Sequence, residues 1–255
     1  MISKHSFIND KSQIGKNLKI DAFSVIHENV EIGDNCWIGS NVTIFPGARI
    51  GNNCKIFPGS VISGEPQDLK FENGDTLTFI GNNTIIRECV TINRATMATK
   101  KTIVGSNCFI MAYCHIAHDC KIGSDCVLAN AVNIAGHVSI ENNVTIGGLT
   151  AIKQFTKIGQ YSMISGGSLV RKDVPPYIKV AKEPLKFLGI NIVGLKRKGF
   201  SENDIYSIKN IYRNIFGSGK NISDSLKELN EIKLNDKEQN IIDFINNSKQ
   251  GIIKN

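Results

Sequence analysis

The sequence predicts a mainly β fold: a solenoid of very short parallel strands over residues 1–172, followed by a small helical domain over 173–255. Two observations predict it. A large aliphatic residue recurs at every sixth position from Ile2 to Val170, and beyond Val170 the pattern turns helical. Of the 29 positions in that series, only Asp68, Gly74 and Ala98 break it. A period of six belongs neither to an amphipathic helix nor to a half-exposed strand. It suits strands that turn a corner after about six residues and send one aliphatic side chain inward, three sides closing a coil of about 18.

Corners between such sides need φ > 0, which Gly and Asn adopt most readily. Gly15, Gly33, Gly51, Gly105 and Gly123 stand directly after anchors, and Asn17, Asn35, Asn53, Asn83, Asn107 and Asn143 stand three after one. The second inward position, four after each anchor, carries six of the seven cysteines: Cys36, Cys54, Cys108, Cys114, Cys120 and Cys126. Their spacing reads as small, weakly polar core side chains, not as a disulfide framework or a metal site. Two segments, 63–79 and 93–102, are expected to leave the solenoid as loops, which on a rigid scaffold commonly carry binding groups. After Val170 the register is broken by Asp173, Pro175 and Pro176. Ser201 is then expected to cap a helix carrying Ile205, Ile208, Ile211, Tyr212 and Ile215, with Gly217 and Gly219 as its stop; Ser223 and Asp236 begin two more.

The chain of 255 residues has a net charge of +7, and its basic excess lies in 171–220, where eleven lysines and arginines face four acids. Such a patch suits nucleic acid, anionic lipid, a nucleotide diphosphate or an acidic protein, while a solvated helical face explains many of these lysines equally well. The run Lys196-Arg197-Lys198 is denser than a solvated face needs. The repeat begins at Ile2 and no run of 18 apolar residues occurs, so a reduced, cytoplasmic protein without a membrane span is expected.

The polar cluster of interest lies inside the most regular repeats. Three of the five histidines, His115, His118 and His137, fall within 23 residues. Adding one coil to His118 reaches Gly136, and another reaches Gln154, so these should line one edge together with His137. Imidazole is suited to taking a proton near neutral pH, and a glycine N–H beside it can stabilise an oxyanion. Histidines on a polar solenoid edge remain the bland alternative. A zinc site of the β-helix carbonic anhydrase kind needs three converging imidazoles, and spacing alone leaves it open. An ice-binding face is disfavoured, because Thr43, Thr78, Thr91 and Thr145 form no sustained ladder. In the first loop, Asp68 and Lys70 suit a sugar hydroxyl and a phosphate, or a plain surface turn.

The hexads, Pro66-Gln67-Asp68-Leu69-Lys70, Ile86-Arg87-Glu88, Val90-Thr91-Ile92, His115-Ile116-Ala117-His118-Asp119-Cys120, Leu128-Ala129-Asn130, Ala135-Gly136-His137, Asp173-Val174-Pro175-Pro176-Tyr177 and Gly194-Leu195-Lys196-Arg197-Lys198-Gly199-Phe200 resemble the UDP-N-acetylglucosamine O-acyltransferase family of lipid A biosynthesis, in order and over nearly the whole chain. The resemblance implies a homotrimer of left-handed parallel β-helices that moves a 3-hydroxyacyl group from acyl carrier protein to the 3-hydroxyl of UDP-N-acetylglucosamine. It implies no metal or dissociable cofactor, no nucleic acid and no integral membrane association. By position, His118 would be the general base and the Gly136 N–H the oxyanion donor. Asp119 would orient His118, although neighbours in a strand point apart. Asp68, Lys70, His115, His137 and Gln154 would hold sugar, phosphates or acyl group, and Asn191, Arg197 and Lys198 the nucleotide end. Gly166 would bound the acyl groove and leave room for a long chain. Two positions depart from the family pattern: Lys153 replaces a common His, and Val193 replaces a common Glu, which removes a nucleotide contact. The N-acyltransferase of the same pathway, or an acyl-coenzyme A enzyme, is the alternative; the helical-domain motif argues against both.

Overall fold

Nearly every aliphatic anchor ends a strand of two to four residues, from Phe7–Ile8 through His115–Ile116 to Leu169–Val170. The structure, a computed structural model, describes residues 1–217, 219, 221–229 and 231–254. The strands stack into three parallel sheets, the faces of a left-handed β-helix. Ile26, Ile44, Ile62, Ile92, Ile116 and Ile134 pair coil to coil along one face and are fully buried. Each such burial contributes about 1.5–3 kcal/mol, which is why the aliphatic row governs the fold.

Stacked residues are ordinarily 18 apart, as in Val25 with Thr43. Val61 pairs instead with Thr91, 30 residues on, and Thr91 with His115, 24 on. The two loops therefore insert 30 − 18 = 12 and 24 − 18 = 6 residues, whole multiples of the hexad, so the anchors keep their phase across them. Asp68, Gly74 and Ala98 lie in these insertions, which explains the three breaks in the series. Both excursions are shorter than expected: the chain leaves after Gly64 and returns at Leu77, and leaves after Asn93 and returns at Lys101. The flanks stay in register because Thr78 N–H donates to the Gly47 carbonyl (3.0 Å) and Arg94 N–H to the Gly64 carbonyl (2.8 Å).

The corner chemistry differs from expectation. Asn17, Asn35, Asn53, Asn83, Asn107 and Asn143 do adopt positive φ, but the glycines after the anchors do not. They are needed for close approach: a Cβ on Gly105 would stand 2.6 Å from the backbone of Gly123 in the next coil. The cysteine row also has a second reason. Cys108, Cys114, Cys120 and Cys126 each direct the thiol to a carbonyl of the following coil, as Cys120 Sγ does to Ala135 (3.1 Å). Burial pushes the Cys114 thiol up to about 11 and that of Cys120 to about 12, so neither is a reactive thiolate.

After the last hexad the strand Ile178–Ala181 extends one face in parallel with Met163–Ile164, and Lys186–Ile190 adds an antiparallel edge. Four helices follow: α1 (Ile192–Arg197), α2 (Glu202–Gly217), α3 (Ile222–Leu229) and α4 (Asp236–Asn246). Ser201 caps α2 by accepting the Asp204 N–H at 3.1 Å. Asn221, not Ser223, caps α3, and Asn235 with Glu238 forms a capping box on α4. The two added strands and α1 are too short to show periodicity in the sequence. The helices close the open end of the solenoid: Tyr212 Oη donates to the Pro176 carbonyl (2.6 Å), and the buried Asp173 accepts the Lys157 N–H and the Ser248 hydroxyl, each at 2.7 Å. Among the described residues no helix is long and apolar enough to cross a membrane.

Candidate active site

His118 and Asp119 follow the strand His115–Ile116 on a corner, not within a strand. Asp119 has φ +62°, and this left-handed turn brings two adjacent side chains together where an extended backbone would send them apart. Asp119 Oδ2 stands 2.7 Å from His118 Nδ1, and both residues are buried. Against a carboxylate, Nδ1 carries the proton and donates, which leaves the Nε2 lone pair free. Burial alone would raise the Asp119 pKa, but hydrogen bonds from Thr99, His118 and Thr96 outweigh it and hold the group below its ordinary value. Asp119 is thus an anion beside the imidazole.

Gly136 occupies the position one coil above His118. A Cβ there would lie 2.6 Å from His118 Cε1 and 2.8 Å from Nε2, so the ring rests against backbone that only glycine leaves clear. Among the described residues, no acceptor takes the Gly136 N–H. His137, the left-handed corner residue after it, stacks on Phe155 (4.7 Å) and meets His118 edge-on (5.2 Å). Its Nε2 is 3.7 Å from Asp119 Oδ2. His115 Nδ1 is 2.7 Å from Thr91 Oγ1, and its pKa is lowered by burial and by the neighbouring His118. The neutral ring is therefore favoured there.

His115, His118 and Gly136 edge a groove of about 640 Å³ on the face formed by strands His115–Ile116, Asn133–Ile134 and Ala151–Ile152, whereas Asp119 and, against expectation, His137 stand behind it and are not in its lining. It is lined by Asp68, Lys70, His115, His118, Gly136 and Gln154, as expected together. Asp68 also forms the plain turn, accepting the Lys70 N–H at 3.0 Å. Gly166 sits on the corner across the same face, between Met163–Ile164 and Leu169–Val170.

The remaining expected residues lie elsewhere. Asn191 and Arg197 line a larger cleft of about 970 Å³ between another face and α1 and α2, whose lining contains no histidine or carboxylate. Asn191 caps α1, accepting the Gly194 N–H and donating to the Tyr161 carbonyl. Val193 lines the cleft and is exposed. Lys198 faces Asp125 at 4.0 Å, and Lys153 turns to Gln250. In one chain the two groups of residues are therefore on different faces.

His118, Asp119 and His137 bring ligand atoms within 4.8 Å of one another. Only two imidazoles belong to that group, while Asp119 already accepts bonds from Thr96, Thr99 and His118, so a three-histidine zinc site does not fit. Thr91, Thr96, Thr99 and Phe155 escape sequence reasoning. Thr91 is visible as the coil partner of His115 once the six-residue insertion is known; the loop threonines have no periodic signal.

Sequence models of two families match the chain: "bacterial transferase hexapeptide (six repeats)" over residues 11–46, 31–64 and 101–136, and "UDP N-acetylglucosamine O-acyltransferase; domain 2" over 173–253. An acyl-(acyl-carrier-protein)–UDP-N-acetylglucosamine O-acyltransferase of Sulfurihydrogenibium sp. is 51% identical over 97% of this chain and 92% of its own. A crystal structure of a UDP-N-acetylglucosamine acyltransferase from Bacteroides fragilis superposes with a TM-score of 0.97 at 46% identity, covering 99% of this chain and 100% of that one. The Francisella novicida enzyme of that name gives 0.97 at 36% identity, over 100% and 94%.

Proposed function

This chain belongs to the UDP-N-acetylglucosamine O-acyltransferase family, and from that premise we propose that His118 is the general base of its acyl transfer. The protein is an acyl-carrier-protein-dependent acyltransferase acting on UDP-N-acetylglucosamine, the first step of lipid A biosynthesis. The observation that carries the mechanism is the buried His118–Asp119 pair at 2.7 Å, with the free Nε2 beside an unpaired backbone N–H.

In this reading His118 Nε2 takes the proton of the sugar 3-hydroxyl while that oxygen attacks the thioester carbonyl of the 3-hydroxyacyl donor. The resulting oxyanion is met by the Gly136 N–H. The intermediate then collapses, the C–S bond breaks, and the imidazolium returns its proton to the leaving thiolate. Asp119 compensates the positive charge on His118, which contributes most in a partly buried site. Lys70, Asp68, His115, His137 and Gln154 position the acceptor, and Gly166 across the groove leaves length for the acyl chain. The activated thioester needs no further cofactor.

Asn191, Arg197 and Lys198 hold the nucleotide end from a neighbouring copy. The groove and the basic cleft stand on different faces of one chain, a division that supports a homotrimer with sites between subunits. Val193 leaves that end with one polar contact fewer. A cytoplasmic location suits these substrates.

The test is transfer from 3-hydroxyacyl carrier proteins of graded length to UDP-N-acetylglucosamine. His118→Ala is expected to reduce kcat/KM about 10²–10⁴-fold or more. Activity within a few-fold of the parent would remove His118 from the mechanism. Gly166→Met in the same panel should shift preference to shorter chains; an unchanged profile would exclude Gly166 as the boundary.

A further inference from the structure

The loop between Asn93 and Lys101 interrupts a solenoid that otherwise tolerates few breaks, and four of its donors point at one carboxylate. Thr96 N–H lies 3.2 Å from each Asp119 oxygen, and Thr96 Oγ1 donates to Oδ2 at 2.8 Å. Thr99 N–H lies 3.2 Å from Oδ1, and the Thr99 hydroxyl donates to the same oxygen. Thr102 Oγ1 accepts the Asp119 N–H at 2.9 Å, fixing the corner itself. With His118 Nδ1, Asp119 accepts five donors.

The carboxylate has two histidines to serve. His118 is at 2.7 Å, and His137, on the coil above, is at 3.7 Å from the same Oδ2. An unclamped side chain could rotate to share itself between them. We propose that Thr96 and Thr99 are positioning residues for the transfer: they hold Asp119 toward His118, keep the His118 proton on Nδ1, and so leave Nε2 as the base. The proposal rests on the reading of His118 given above. It also accounts for the six-residue insertion, since a plain coil has no room for this turn. The same loop supports its neighbour: Asn93 Nδ2 donates to the Glu65 carbonyl (2.8 Å), and Arg94 lies over Phe71 (5.5 Å).

The titratable groups facing Asp119 are His118, His137 and the buried Cys120 thiol, with His115 next along the groove; Lys100 and Lys101 of the loop are exposed. Removing a threonine donor frees the Asp119 side chain to turn from His118 toward His137, so the charge beside the imidazole changes, the acid limb of kcat/KM moves and kcat falls.

The experiment measures kcat, KM and the pH profile of Thr99→Val, Thr99→Ser and His118→Ala in the full-length protein, with folding checked by thermal unfolding. Thr99→Val is expected to lose about 10-fold or more in kcat, the scale of one hydrogen bond to a charged group, with KM little changed and the acid limb displaced. Thr99→Ser should restore both. If Thr99→Val does not fold, Thr96→Val with Thr96→Ser carries the same comparison. A folded valine variant with the parental kcat and acid limb, alongside an inactive His118→Ala, would overturn the positioning role alone. An active His118→Ala would instead remove the base and the clamp together.

Discussion

Along one edge of the solenoid the left-handed corner position holds Asn17, Asn35, Asn53, Asn83, Asn107 and Asn143, at φ of 57–60°; along another it holds Asp119, His137 and Phe155, at 60–66°. The backbone is the same, and the hydrogen bonding is not. On the asparagine edge the residue before each corner accepts an N–H from the coil below: Asp34 from Lys16 (2.7 Å), Asn52 from Asp34 (2.7 Å), Asn142 from Ser124 (2.8 Å). On the histidine edge Gly136 has no side chain to offer His118, and Gln154 does not take the Gly136 N–H. One edge closes on itself, while the other leaves a donor open beside an imidazole. Large L-residues in this conformation cost about 1–2 kcal/mol each. The stacking of His137 on Phe155 offsets part of that. The comparison teaches that an open N–H beside an imidazole marks the reactive edge better than the corner conformation does, since Tyr113 and Leu149 adopt the same φ on another edge.

Gly136→Ala attacks the open edge most directly, because its Cβ would meet the His118 ring while its N–H remains. We expect kcat to fall about 10²-fold or more, as for misplacement of a catalytic group, with a stability loss of about 1–3 kcal/mol. Undiminished turnover in this variant would show that ring placement against Gly136 does not matter.

A smaller and opposite signature is expected on the closed edge. Asn107→Ala loses the side chain that accepts from Asn83 Nδ2 (3.1 Å) and places alanine at φ 58°. Denaturant unfolding should report about 1–2 kcal/mol of destabilisation with kcat unchanged in the remaining folded enzyme. A selective fall in kcat would erase the distinction between the two edges.

The mildest effect is the pH dependence of stability. Asp119 and His115 both titrate below their ordinary values in the folded protein. Between the folded and ordinary values the unfolded chain binds more protons, so this stability is complete above the ordinary pKa and is lost as pH falls toward the folded one. Unfolding at stepped pH should show His115 contributing first, on descending below about 6.5, and Asp119 further below, near 4. His115→Gln should flatten the upper step and leave the lower one in place; an unchanged upper step would assign it to another group.

Much of this architecture was legible because burial of one aliphatic residue per hexad is a strong, regular term. Asp68, Gly74 and Ala98 even mark where the loops insert. The loops' true extents were not legible, since Thr78 and Arg94 are held by hydrogen bonds to other coils. The glycines after the anchors were visible but their reason was not: φ is a local property, whereas the approach of Gly105 to Gly123 exists only once coils stack. In the site, coil arithmetic aligned His118, Gly136 and Gln154, the histidine cluster and the first loop pointed to His115, Asp68 and Lys70, and family resemblance gave these residues their roles. Thr96 and Thr99 belong to an aperiodic insertion and carry no such signal. The pairing of His118 with Asp119 ran against strand logic, because whether Asp119 sits in a strand or on a left-handed corner depends on its place in the coil.

By itself, the sequence determined the solenoid, its hexad phase, the helical close and the chemical types available on one edge, because apolar periodicity is written residue by residue. Tertiary structure alone decided which side chains converge. It turned Asp119 toward His118, brought the threonine loop onto that carboxylate, and left the Gly136 N–H unpaired. It also put Arg197 on a different face from the groove. Those contacts join residues one or more coils apart, and their geometry is set by stacking that no local propensity encodes.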